Sequence, residues 1–249
     1  MDAETITAGI LHDVLEDTKI TEEELTKEFG ERIVSLVKGV TKLGKLRYSG
    51  AERHVESLRK FFIAMADDIR GVVIKLCDRL HNIQTLEFVS PEKQKRIALE
   101  TLEIHARLAD RLGMGRLKAQ LEDAAFPYVY PEDYKKTVDM FESMRPISDE
   151  QLEKVVSTLN EELITFDVEI ERIDYRVKHF YSLWQKLKKY KMDASKVHDV
   201  VALRIIVPEV TDCYQALGVI HGLYRPVPGR FKDYIAVPNP NYYRSLHTT

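Results

Sequence analysis

The sequence predicts a molecule in two parts, an all-helical region followed by a smaller mixed α+β region. Three observations predict this. From Ala3 to about Val129, apolar residues recur at three- and four-residue spacing, the period of an amphipathic helix. After Glu162 the period changes, and short alternating or apolar stretches are separated by helical ones. The charge divides as well: residues 1–174 carry a net −10 and residues 175–249 a net +7, inside an overall −3.

The elements follow in order. "ILHDVLEDT" (residues 10–18) reads as a helix, with His12 stacked over Glu16 and Asp13 over Asp17, while Ile10, Leu11, Val14 and Leu15 fill the core side. "EEELTKEFGERIVSLVKGV" and "AERHVESLRKFFIAMAD" continue the helical period, with short breaks at Gly30, Gly44 and Gly50. Ser90-Pro91-Glu92 starts a helix that runs from about Glu92 to Leu112 and is broken by Gly113 and Gly115. "FPYVYPEDY" and "MRPISDEQ" punctuate a connector. Then "TFDVEIERI" alternates as a strand, "KHFYSLWQKLKKYK" is a basic amphipathic helix, "DVVALRIIV" is a buried strand and "TDCYQALGVIHGLY" a further helix. "RPVPGRFKDYIAVPNPNYY" is a long loop suited to holding a ligand. The expected domains are 1–128, a helical connector over 129–162, and 163–249.

Composition narrows the function classes. At 249 residues and 44% hydrophobic, the chain can bury a sizeable core. No run approaches the ~18 apolar residues of a membrane span, and no signal-peptide pattern opens the chain. Cys77 and Cys213 lack zinc-ligand spacing and read as thiols buried in a reducing cytoplasm. The basic C-terminal part points to a polyanion, either nucleic acid or a nucleoside polyphosphate.

Two constellations carry chemistry. His12, Asp13, Glu16 and Asp17 crowd one short stretch, which is either a solvated stripe or a metal site with acid/base groups beside it. "IKLCDRLHNIQTL" adds Asp78 and Asn82 at i,i+4, with Leu76, Leu80 and Ile83 turned inward. A histidine-aspartate pair and a later aspartate can converge on one divalent cation. Oxygen ligands with imidazole suit Mn²⁺ or Fe²⁺ better than a closed zinc site. Such an ion lowers the pKa of bound water and polarises a phosphoryl group. In the second constellation, Lys178, Ser182 and Lys186 fall at successive i+4 positions as one cationic helix face, with Arg176 ahead of them. That face is a solvated basic surface, a nucleic-acid groove or a phosphate site. Asp199 enters the following strand, a good position for a Mg²⁺ carboxylate. Arg230, Lys232, Tyr243 and His247 mix cations with aromatics, which fits phosphates and a stacked base.

"ILHDVLEDT…KLCDRLHNIQTL" resembles the HD-type phosphohydrolase domain of the RelA/SpoT family, whose members make and destroy the alarmone (p)ppGpp in the stringent response. The resemblance implies that His12, Asp13 and Asp78 bind Mn²⁺, that Glu16 and Asp17 orient or activate the attacking water, and that Asn82 contacts the nucleotide. The second motif set is similar to the family's synthetase domain. Its R-x-K-x-x-x-S-x-x-x-K pattern matches Arg176, Lys178, Ser182 and Lys186 without a gap. By the same resemblance Arg176 stacks on adenine, and Lys178, Ser182 and Lys186 hold the phosphates of ATP. Asp199 binds Mg²⁺, Tyr243 stacks on the guanine of GDP or GTP, and His247 lies at the acceptor or phosphate site. Arg230, Lys232 and Asn241 complete the nucleotide-binding set, and Arg230-x-Lys232-Asp233 is the form typical of members that also hydrolyse. The fold implied is an all-helical HD-type domain followed by a mixed-sheet, nucleotidyltransferase-like synthetase domain.

The expected protein is therefore a bifunctional pyrophosphotransferase and (p)ppGpp 3′-pyrophosphohydrolase of a bacterial or plastid-type cytoplasm. Ribosome or tRNA would be reached only through a C-terminal region beyond this chain, and neither membrane nor DNA is a partner. Some positions differ from the family pattern. Asn239-Pro240-Asn241-Tyr242-Tyr243-Arg244 stands where Lys-Ala-Asn-Gly-Tyr-Gln is usual, and Arg107 replaces a proline. The family's further metal-binding histidine belongs ahead of Met1, a place that His54, His81 and His105 do not fill, and its glutamate strand belongs after Thr249. Residues 1–249 alone are expected to be a fragment incomplete for both reactions. The competing expectation is a non-catalytic, nucleotide-binding regulatory relative.

Overall fold

A computed structural model describes residues 1–44, 68–144, 148–238 and 243–249. The helix expected over "AERHVESLRKFFIAMAD" lies wholly outside these residues. The chain divides into two compact units, Met1–Glu132 and Asp133–Thr249.

In the first unit, α1 (Ala3–Ile10) is capped by Asp2, whose side chain accepts from the Thr5 amide. The expected helix through "ILHDVLEDT" does not continue. The chain leaves α1 in a turn over 11–13 and resumes as the single turn α2 (Val14–Asp17). The turn is closed locally: the Leu11 amide bonds the Thr7 carbonyl, the Val14 amide bonds the Leu11 carbonyl, and His12 Nδ1 reaches the Gly9 carbonyl at 2.7 Å. α3 (Glu22–Phe29) opens on a capping box in which Thr21 and Glu24 satisfy each other's amides. Gly30 ends α3 at φ 82, a backbone angle open to glycine at little cost, and α4 (Glu31–Gly44) begins immediately. Leu36, Val37 and Val40 of α4 pack with Ala8, Leu25, Val34 and Ile74 in one buried cluster, with Leu11 and Val14 against it.

That cluster ties α1 to α5 (Ile69–Gln84), which starts at an Asp68 cap. Then α6 (Pro91–Glu100) passes through a wider π turn at Thr101–His105 into α7 (Ala106–Arg111). α8 (Gly115–Val129) packs on α5, α6 and α7. Gly115 therefore opens a helix rather than breaking one, and Pro127 lies within α8 instead of in a connector. So near the C-terminus a proline removes a single ladder bond, and Phe126 beside it is completely buried. Cys77 is exposed on α5, contrary to the expected burial, and Cys213 is half-buried.

In the second unit, α9 (Pro131–Met144) supplies Phe141 to a core with Leu183, Leu187, Val197 and Val200. α10 (Asp149–Thr165) begins with a Ser148–Gln151 capping box and buries Leu152, Leu159 and Leu163. The helices that cover the expected connector, 129–162, thus lend side chains such as Phe141 and Leu152 to the packing of this unit. α10 runs through Thr165 and is closed by Asp167 at φ 56, with the Val168 amide on the Leu163 carbonyl. For that reason β1 starts at Arg172 (Arg172–Val177), later than the alternation suggests. Val168 and Ile170 still bury, against Leu163 and Ala216.

β1 pairs antiparallel with β2 (Val201–Ile206), Arg172 opposite Ile206 and Val177 opposite Val201. Between them lies α11 (Phe180–Lys189), and after them α12 (Val210–Leu223). A two-residue pair joins β3 (Lys232–Asp233) to β4 (Leu246–His247). β2 was expected to be buried, but Ala202, Leu203 and Arg204 are exposed, because β1 is its only sheet neighbour among the described residues. The described strand pairs are all antiparallel. No described helix is long and apolar enough to cross a membrane.

Candidate active sites

In the helical unit, residues some 65 positions apart converge. His12 sits in the turn after α1 and Asp13 next to it, while Asp78 lies on α5. One ligand atom from each falls within 4.8 Å of the others. His12 Nε2 is 3.0 Å from Asp13 Oδ2 and 3.5 Å from Asp78 Oδ1. With Nδ1 bonded to the Gly9 carbonyl, the neutral ring carries its proton there and turns a bare Nε2 lone pair toward two carboxylates. Nε2 is buried and makes no hydrogen bond of sound geometry. An acceptor aimed at acceptors is unfavourable unless a cation lies between them. A backbone carbonyl fixing the other ring nitrogen is the usual support of a metal-binding histidine. The donor set fits a divalent cation.

Asp78 is the most buried of the three, 9% exposed against 52% for Asp13. Burial opposes its charge. The Lys75 hydrogen bond, with the charges of Lys75 and Arg79 and that of His12 whenever its ring is protonated, outweighs that and holds the carboxyl below its ordinary range. Lys75 Nζ donates to Oδ2 at 2.7 Å, and Asn82 Nδ2 donates to Oδ1 at 2.7 Å. Lys75 was not singled out from the sequence, although its i,i+3 spacing to Asp78 on α5 was there to be read. Glu16 and Asp17 stay exposed on α2, outside the three-residue cluster.

Behind α5, Arg79 Nη2 donates to Glu100 Oε1 at 2.6 Å, fixing α5 to the end of α6 just ahead of the π turn. Burial raises the Glu100 carboxyl, with Arg79 opposing. His105 in that turn is 1% exposed. Burial, then Arg79, press its pKa well below the ordinary value. It is a structural group rather than a ligand of the cluster. His81 is exposed on α5, and His54 lies outside the described residues.

In the second unit the structure brings Lys178, Lys186 and Asp199 together. Lys178 precedes α11 rather than lying on it, so the expected single helix face is replaced by a helix entry and a helix turn. Both still converge on Asp199, with Lys178 Nζ on Oδ2 at 2.8 Å and Lys186 Nζ on Oδ1 at 2.6 Å. The Lys178 amide bonds the Val200 carbonyl, which places it at the entry of β2 beside that aspartate. Desolvation works against the Asp199 charge, but these two hydrogen bonds prevail and bring its pKa down to about 2. Ser182 lies on α11 between the two lysines in sequence, and Arg176 is exposed near the end of β1. A lone carboxylate with both oxygens on ammonium groups does not by itself make a dication site.

A further group surrounds the β3–β4 pair. Lys232 stands opposite His247 in the ladder, and Tyr243 Oη lies 3.0 Å from His247 Nε2. Tyr234, unmarked by the sequence reading, packs edge-on to His247 with centroids 5.2 Å apart. Asp233 accepts from the Ile235 and Ala236 amides and from the Tyr214 hydroxyl, so it shapes the turn. Arg230 is exposed just before β3, and Asn241 lies outside the described residues.

The molecule is thus a helical domain with a His-Asp…Asp cluster, followed by a basic α+β region with aromatic side chains around the β3–β4 pair. Residues 1–115 match a family model described as an HD domain, a family that uses divalent metal, and residues 175–249 match one described as a region found in RelA / SpoT proteins. Over its whole length the chain is 49% identical to a guanosine-3′,5′-bis(diphosphate) 3′-pyrophosphohydrolase of Aquifex aeolicus, covering 36% of it. It is 45% identical to a GTP pyrophosphokinase of Myxococcus xanthus, covering 33% of it. It is 47% identical to a probable guanosine-3′,5′-bis(diphosphate) 3′-pyrophosphohydrolase of Synechocystis, again covering 33%. The chain belongs to the RelA/SpoT family, and it spans about a third of the length of the curated relatives it matches.

Proposed function

We propose that this chain carries the catalytic region of a bifunctional alarmone enzyme. The helical domain, residues 1–128, hydrolyses (p)ppGpp to GDP or GTP and pyrophosphate. After a connector over 129–162, the α+β part, residues 163–249, transfers pyrophosphate from ATP to the guanosine 3′-hydroxyl. The observation that carries the reading is the convergence of His12 Nε2 with the Asp13 and Asp78 carboxylates. Mn²⁺ is the proposed ion, held by those three side chains. When bound, it supplies a water of lowered pKa and draws charge from the phosphoryl oxygens. Water oxygen bonds to the phosphorus on the ribose 3′-oxygen, that P–O bond breaks, and the 3′-oxygen leaves with a proton. Glu16 and Asp17 are assigned to accept the proton of the water, and Asn82 to meet the nucleotide.

In synthesis, the acceptor's 3′-oxygen bonds to the β-phosphorus of ATP, its proton is lost and AMP leaves. Lys178, Ser182 and Lys186 are assigned to the phosphates, with Arg176 to adenine. Both lysines rest on Asp199; drawn onto phosphate, they would leave that carboxylate, which would hold the Mg²⁺ that accompanies the nucleotide. Tyr243 is assigned to guanine, with Arg230, Lys232, Asn241 and His247 around the acceptor. An aromatic–base stack contributes about 1–3 kcal/mol.

The test is ppGpp turnover with and without Mn²⁺, in the natural protein that contains these residues. Mn²⁺-dependent release of pyrophosphate that Asp78→Ala abolishes supports the reading. Mn²⁺-independent release sinks the metal reading, and no release at all favours a nucleotide-binding regulatory protein.

A further inference from the structure

We propose that Lys75 is a built-in counter-cation of Asp78 that competes with the divalent ion for this carboxylate and so keeps the metal exchangeable; the inference rests on the metal-centre reading above. Of the three side chains that converge, Asp78 is the one paired with a cationic side chain. Among the described residues neither His12 nor Asp13 forms an ion pair with lysine or arginine. The pair is shielded, with Lys75 15% and Asp78 9% exposed, and Nζ lies 2.7 Å from Oδ2. An i,i+3 pair on an open helix face would be screened and worth little, but this one is held out of water. Asn82 takes Oδ1 at 2.7 Å, so both oxygens of the carboxylate are hydrogen-bonded by the protein's own donors.

Two effects of Lys75 on a metal at Asp78 have opposite signs. Its hydrogen bond orients the carboxylate, which favours ligation. Its charge repels a dication that shares the same carboxylate. At an effective dielectric of about 20, repulsion between a unit charge and a dication within a few ångströms exceeds what one hydrogen bond contributes. Competition therefore outweighs positioning. By linkage, whatever the ammonium contributes to Asp78 is given up in part when the dication takes the carboxylate, so removing the ammonium must tighten metal binding. The consequence is a site whose aspartate is held in place by the protein itself and whose ion binds weakly.

The experiment is calorimetric titration of the 249-residue chain with Mn²⁺, in wild type and in Lys75→Met, Lys75→Gln and Lys75→Arg. The two neutral variants should bind Mn²⁺ about tenfold tighter or more, and Lys75→Arg within about threefold of wild type. Melting scans supply a second reading. In EDTA the neutral variants should melt below wild type, and saturating Mn²⁺ should close most of that gap. Should Lys75→Met not fold, Lys75→Gln carries the comparison. Equal or weaker Mn²⁺ binding by the neutral variants overturns the proposal, because Lys75 would then be a positioning or purely structural residue. A wild-type chain that binds no Mn²⁺ is a different failure, one that removes the metal-centre reading itself.

Discussion

The two candidate sites use the same residue types in opposite proportion. In the helical unit, two carboxylates and an imidazole lone pair face one point with a single lysine behind them. In the α+β unit, one carboxylate faces two ammonium groups. The first arrangement has negative charge to spare and is completed by a cation. The second has positive charge to spare and is completed by an anion. The sign of the excess charge, more than the presence of aspartate, separates a metal centre from a phosphate site. The net −10 and +7 of residues 1–174 and 175–249 are the coarse image of that difference.

The largest effect is expected at Asp78. Asp78→Asn keeps the shape and removes the anion, so Mn²⁺ affinity should fall by about a hundredfold or more while ATP binding is unchanged. Equal Mn²⁺ binding by both forms in titration calorimetry would falsify the assignment of excess negative charge to this point. Next comes Lys186. Lys186→Ala should weaken ATP binding about tenfold, against less than about twofold for Lys189→Ala, which removes the same charge from an exposed position. Comparable losses would show a diffuse basic surface instead of a built site.

Acid affects the two units at different pH. His105 is pressed below the ordinary 6.5 by burial, then by Arg79, so the folded state refuses a proton that the unfolded chain accepts. Its stability contribution is complete above pH 6.5 and is lost as the pH falls below it. His105→Phe should flatten that part of a melting-temperature profile, and an unaltered profile would remove His105 as its source. The smallest effect belongs to Asp199, lowered from 3.8 to about 2. Its stability is present above pH 3.8 and is lost as the pH drops toward 2. With the side chain 45% exposed, solvent screening limits it to about 1 kcal/mol or less. Asp199→Asn should erase this step in acid melts while leaving the His105 step untouched.

What is legible along the chain is local. Capping residues such as Thr21 with Glu24 and Ser148 with Gln151, the glycine at 30 and the apolar period of α4 and α5 act within about four residues, so a linear reading finds them. The same holds for the motifs that carry the family resemblance, because their spacing is along the chain. Where those residues meet depends on long-range packing. His12 and Asp13 meet Asp78 because α1, α4 and α5 share one buried cluster, and because the helix breaks at 11–13 to turn His12 inward, against the helical period of its own neighbours. Lys178 lies off its helix yet reaches the same aspartate as Lys186, since the β2 entry carries Asp199 to both. Strand β2 reads as buried from its apolar run, yet how much of it is covered depends on which elements lie beside it in space. Hydrogen-bonded periods are set by short-range geometry, whereas the meeting of distant side chains is set by which apolar faces exclude water together, and no window of sequence contains that.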